Sequence, residues 1–275
     1  ISAADLAAIY RALPAEATTA DVSDGARRRA ELYKAAEMER TPLKKVRRIR
    51  AFLDDARRAG LYLPALEMMS DPSGSIALAA EIGWFAETAI EIALAAGHYE
   101  RAREWVSFAA TMERGGAGDS TGAAGPMGHW AALADIADPG LAAPRGTSLA
   151  SVEQLALSGR FAPDLLNRLA TVLDALDTNV PIPLWEAASR TPQPAGGHLP
   201  ETGVLSELLD ASKKKEFGRT VLIAMQALGP SGAEGAHMIA LGDAIRALKR
   251  AGLATEARRL GFEALFASWP RTAAL

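Results

Sequence analysis

The pattern of apolar and polar positions predicts helices from one end of the chain to the other. It is clearest over residues 81–112, EIGWFAETAIEIALAAGHYERAREWVSFAATM. Leu78, Ile82, Phe85, Ala89 and Ile92 recur at spacings of three and four, with Glu87 and Glu91 on the opposite side. Beyond Gly97, a second stripe is made by Ala102, Trp105, Val106, Ala109 and Met112. These spacings mark two helices that each bury one face. Gly97 stands where the first helix needs a left-handed C-cap, a conformation only Gly adopts without steric cost.

The same reading places helices on either side. Residues 3–13 form a short one ended by Pro14. Ser23 or Asp24 caps the next, through Glu39, with Ala30, Leu32, Tyr33, Ala36 and Met38 inward. Thr41-Pro42 is a strong start for a helix over 42–59: Thr accepts from first-turn amides, and Pro at the first position loses no hydrogen bond. That helix buries Val46, Ile49, Phe52, Leu53 and Ala56. A short helix at 64–69 stops before Asp71-Pro72. Further helices are expected at 126–137, 148–157, 162–176, 184–188, 201–215, 217–228, 233–250 and 253–268. No run alternates as a half-buried strand requires.

Two stretches break the pattern. Residues 114–125, RGGAGDSTGAAG, and 191–200, TPQPAGGHLP, read as loops, because Gly costs much entropy to order and Pro interrupts helices. Asp138-Pro139-Gly140 is a turn signal and the expected boundary between an N-terminal helical-hairpin domain, 1–140, and a C-terminal helical domain, 141–275. The expected fold is all-α. Its antiparallel hairpins either stack as an α-solenoid-like superhelix or form two packed bundles.

Composition supports helix over sheet: Ala and Leu dominate, while aromatic and β-branched residues are sparse. The Ala-Arg-Gly bias suits a GC-rich bacterial genome. There is no cysteine, which excludes disulfides, thiolate nucleophiles and thiolate-bound metal. This fits a bacterial cytoplasm or a periplasm equally. The chain begins at Ile1 rather than Met, as a trimmed or processed form would. The most apolar long stretch, 76–96, contains Glu81, Glu87 and Glu91, so no membrane span is expected.

Three turns share a pattern. Gly60, Gly97 and Gly252 each follow Ala, and Ala65, Ala102 and Ala257 stand five positions later; Ser158-Gly159 is a looser fourth case, with Asp164. A small side chain there lets two antiparallel helices approach closely. The first two glycines are 37 residues apart, near the tetratricopeptide period. With the phrase LAAGHYERAREW, residues 40–112 and 233–268 resemble tetratricopeptide-like helical repeats. The next intervals, 62 and 93, depart from the period, and the Trp-Leu-Gly-Tyr-Pro consensus is absent. An Ala-rich helical hairpin gives the same turn pattern without any repeat. The resemblance implies stacked hairpins with a concave binding surface.

Motifs for chemistry are incomplete. The four histidines, His98, His129, His198 and His237, have no partner at HExxH or zinc-finger spacing. His129, beside Trp130, and His198 would form a site if the two loops met. Asp54-Asp55 opens a DDxxD-like pattern, but Arg58 takes the place of the carboxylate that would share magnesium. Gly116, Gly118 and Gly122 follow a helix, not a strand, and make no dinucleotide fingerprint. P-loop and G-x-S-x-G motifs are absent, as is the Glu-Ser pair of lytic transglycosylases.

Charge is the remaining lead. The net is −3, yet residues 1–60 carry 13 Lys/Arg against 9 Asp/Glu, and the rest carry 17 against 24. Lys44, Lys45, Arg47, Arg48 and Arg50, with Arg27, Arg28 and Arg29 upstream, form a basic run on the outward face of the 42–59 helix. The preferred reading is a non-catalytic interaction or scaffold module for a protein or peptide. Its candidate contact residues are Lys44, Lys45, Arg47, Arg48, Trp84, Trp105, His129 and Trp130. No catalytic, cofactor or metal residues are assigned. One alternative is an all-α enzyme or small-ligand protein with a site between the helices and the two loops. Another is a phosphate or nucleic-acid binder using residues 27–50. Leu260, Leu265 and Phe266 offer the last helix a face for a second copy or for the monomer's own core.

Overall fold

A computed structural model describes residues 2–13, 23–114, 127–141, 144–192 and 196–271. The glycine-rich loop expected at 114–125 therefore lies almost wholly outside the described residues, as do positions 193–195 of the second loop. The chain is all-α: the described residues hold sixteen α-helices, one 3-10 turn and no strand. No described helix is long and apolar enough to cross a membrane. The chain divides into two units, Ile1–Thr121 and Gly122–Leu275. The boundary expected at 140 falls earlier, because the helix at 128–137 packs on elements of the second unit.

The first unit contains α1 (Ala3–Ala12), α2 (Asp24–Met38), α3 (Pro42–Arg58), α4 (Tyr62–Met68), α5 (Ser70–Gly74), a 3-10 turn (Ala80–Phe85), α6 (Ala86–Ala95) and α7 (Tyr99–Arg114). All five residues expected inward on α3 are buried, and Tyr10, Tyr33 and Phe52 join α1, α2 and α3 in one aromatic cluster. Thr41 makes no side-chain cap; the Glu39 carboxylate accepts from the Arg40 and Thr41 amides at 3.0 Å each. The chain does not stop at Asp71-Pro72 but continues as α5, since Pro72 lies in its first turn, where no intrahelical N–H is needed. The first helix of the 81–112 hairpin begins as the 3-10 turn, which contains Gly83, a poor α-former. Met38, Leu78 and Met112, expected inward, are exposed.

Gly97 has φ 76°, and the His98 amide reaches back to the Ala93 carbonyl at 2.8 Å, closing α6 with the expected left-handed cap. Ala102 is fully buried where α6 and α7 meet.

The second unit contains α8 (Gly128–Ala137), α9 (Gly146–Leu157), α10 (Pro163–Ala175), α11 (Ile182–Ser189), α12 (Thr202–Lys213), α13 (Phe217–Leu228), α14 (Gly232–Gly235), α15 (Met238–Ala251) and α16 (Ala254–Phe266). The single helix expected over 233–250 is broken at Ala236. There the backbone is extended and pairs with residue 198: the His198 amide donates to the Gly235 carbonyl, and the His237 amide to the His198 carbonyl. His237 then caps α15. The α15 helix packs against α10, α12, α13 and α16, while α16 also packs against α8 and α10. The α8–α16 contact joins elements far apart in sequence. The core continues through Leu265 and Phe266, which are buried within this unit, while Leu260 is half-buried.

Candidate functional site

In the first unit, the buried stripe of α3 turns its basic residues outward. Lys44, Arg47, Arg48 and Arg50 are exposed and Lys45 is half-buried. Arg48 is engaged by Glu39 at 3.2 Å. Upstream, Arg28 and Arg29, with Arg58, surround Asp55 at 3.2–3.6 Å, so this buried carboxylate is a structural anchor between α2 and α3. Lys44 and Arg47 make no ion pair among the described residues. The Arg50 guanidinium lies 5.9 Å from the centre of the Trp84 ring, and Trp84 is 47% exposed. The fold thus sets one aromatic face at the end of a three-cation strip, an association that sequence order conceals.

Other expected contact residues are not on a surface. Trp105 is buried against Phe85 and Phe108, as its place on the inward stripe of α7 requires. His129 and Trp130 are buried too, because α8 carries only one charged residue, Asp135, and is enclosed on every side. The His129 ring stacks on Trp269, and its Nε2 is 2.8 Å from the Pro270 carbonyl. His198 is exposed on the segment paired with Ala236. Trp105, His129 and Trp130 are therefore corrected from contact residues to core.

Glu91, expected to face solvent, is only 3% exposed. Tyr62 donates its hydroxyl to this carboxylate at 2.6 Å, and Arg57 lies 3.9 Å from it with its guanidinium over the Tyr62 ring. Burial first, and then the Glu91 charge, push the Tyr62 hydroxyl well above its ordinary pKa. Each group stabilises the others, which is the arrangement of a tie between α4 and α6.

The second unit carries a different feature, missed by motif reading. Buried Ala240, Leu241, Ala244, Ile245 and Leu248 fix α15 at the centre of the bundle. Its outward residues Ile239, Asp243, Arg246 and Arg250 follow at intervals of four, three and four, and so form one narrow line. On one flank α10 contributes Asn167 and Thr171; on the other, α12 contributes Leu205 and Leu209. Between α10 and α15 lies a hollow of about 270 Å³, and between α12 and α15 one of about 100 Å³. Both are lined by Asp243 and Arg246, so the two hollows adjoin at these side chains and flank the line as an interrupted trough along α15. From Ile239 to Arg250 the helix rises about 16 Å.

The polar groups of the trough are differently employed. Arg246 is held by Asp174 from α10 and by Asp243. Arg250 donates to the Ser212 hydroxyl at 3.3 Å and has no carboxylate within ion-pair distance among the described residues. Ile239 is 54% exposed and Leu209 is 40% exposed. Among the described residues no three His, Asp or Glu side chains gather in a way that would hold a metal ion. Comparison of the chain with protein-family models, curated proteins and solved structures gives no match. The trough offers directional charge and exposed aliphatic surface.

Proposed function

We propose that this protein is a non-catalytic interaction module, and that the second unit binds a protein segment along the trough of α15. The observation that carries the reading is the line Ile239–Asp243–Arg246–Arg250, laid open between α10 and α12 and ending against Leu205 and Leu209. Helix-in-groove and peptide recognition use such alternation of aliphatic and charged contacts over several turns. Size favours a segment over a small molecule: hollows of about 270 and 100 Å³ are below the usual range for enclosing a drug-sized ligand, roughly 300–1,000 Å³. They suit single side chains entering from a longer partner.

The test is a photo-cross-linking residue placed at Ile239, in extract of the organism the protein comes from. One discrete adduct is expected, absent when the same group replaces exposed Arg190 and lost when Leu209→Asp is added. An adduct pattern identical at the two positions would reject the trough as the binding face.

A second reading concerns the first unit. Lys44, Arg47 and Arg50 beside exposed Trp84 are the combination that holds a single-stranded nucleic acid: cations along the backbone and an aromatic face for a base. With three phosphates engaged, the affinity for a labelled oligonucleotide should fall with a log–log salt slope of roughly −2. The double variant Lys44→Glu, Arg47→Glu should abolish binding. Binding that ignores both salt and variant would sink this reading.

A further inference from the structure

The two ends of the trough differ in charge, and that difference specifies what it takes. At Arg246 the protein has supplied its own counter-ions, Asp174 and Asp243. An incoming carboxylate there would displace one acid and meet the other. Arg250, one turn further on, is exposed and among the described residues engages only the Ser212 hydroxyl, a group that itself donates to the Leu209 carbonyl. Lys213 follows Ser212 directly, is exposed and forms no ion pair among the described residues. A cation near a helix C-terminus is commonly explained by the macrodipole. On α15 that role is taken by Lys249, which donates to the Leu176 carbonyl at 2.9 Å and pairs with Asp177 at 2.6 Å, both just beyond the end of α10. Arg250 instead lines that hollow, together with Leu205 and Leu209.

We infer that the smaller hollow is a specificity pocket for an acidic amphipathic peptide segment. An Asp or Glu side chain of the partner pairs with the Arg250 guanidinium, and a neighbouring aliphatic side chain seats on Leu205 and Leu209. The guanidinium fork suits a carboxylate, and the apolar wall beside it lowers the local dielectric and strengthens the pair. Asp243, at the other side of the hollow, sets direction: it repels a second acid toward the Ile239 end. The occupant is therefore a segment with its acid at the Arg250 end and neutral or basic residues toward Ile239. This rests on the trough being the binding face.

The experiment is a display selection with the full 275-residue chain as target and random peptides of about 12 residues, long enough to follow the three turns of α15. Enriched sequences are expected to share an Asp or Glu next to Leu, Ile or Met. Arg250→Glu should weaken such a peptide roughly ten-fold or more, and changing the peptide's acid to Lys should restore binding to that variant. Peptides that bind without an acid, are lost with Leu209→Asp and are indifferent to Arg250→Glu would overturn the specificity pocket while leaving the trough as the binding face. Peptides indifferent to every trough substitution, or no enrichment at all, would overturn both. Circular dichroism of each variant, expected to match the parent, keeps loss of fold separate from loss of contact.

Discussion

Arg258→Met is expected to destabilise the second unit by about 3 kcal/mol. Arg258 is 8% exposed, and its guanidinium donates to the carbonyls of Ile136 at 2.9 Å and Leu141 at 2.6 Å. These lie at and just beyond the end of α8, whose last carbonyls have no partner within the helix. Since α8 is enclosed, most of them cannot turn to water. A hydrogen bond to a charged group contributes about 1.5–3 kcal/mol, and a buried acceptor left unsatisfied costs about 1–3 kcal/mol. Leu141 is half-buried and regains some solvent, which holds the sum toward the lower figures. Methionine keeps the aliphatic stem, so packing contributes little to the loss. Urea unfolding followed through tryptophan fluorescence checks the value. A change below about 1 kcal/mol would mean that water replaces the guanidinium at these carbonyls.

The tie between α4 and α6 should give an effect of similar size. Tyr62→Phe leaves the buried Glu91 carboxylate without its 2.6 Å donor and is expected to cost about 2 kcal/mol. Glu91→Ala should cost about 3 kcal/mol, near the low end for breaking a buried charged pair, because Arg57 is itself half in solvent. The double variant should lose at least about 1 kcal/mol less than the sum, since each change removes the same interaction. Strict additivity would show that the two residues act independently and that the tie described above is not one.

The sequence made the helices and their punctuation readable, because both depend on local chemistry. Ala65, Ala102 and Ala257, picked out by their distance from a glycine, are all buried at helix crossings. The inward stripe of α3 was readable for the same reason: the spacing of Val46, Ile49, Phe52, Leu53 and Ala56 is itself the cause of the burial. Glu91 misled because a carboxylate on an amphipathic helix is ordinarily solvated, and the donor that buries it stands 29 residues away. Trp105 and His129 misled in the other direction, since residue types common at interfaces are equally at home in a core. The trough was hidden because Asp243, Arg246 and Arg250 look like any solvated helix face until α10 and α12 rise beside them. One local signal was present: Ile239 is an isolated aliphatic residue in line with three charges.

The reach of Arg258 has a consequence for how the chain is made. Arg258 and its acceptor Ile136 are 122 residues apart, whereas the ties of the first unit, Arg11 to Glu37 and Tyr62 to Glu91, span 26 and 29. The first unit can close its contacts while translation continues. The second cannot, because α8 leaves the ribosome long before α16 exists. Trp130 and Ile136 must wait, uncovered on the side that α16 will occupy, until α16 has emerged. That interval is when a nascent chain is most open to aggregation and most dependent on chaperones.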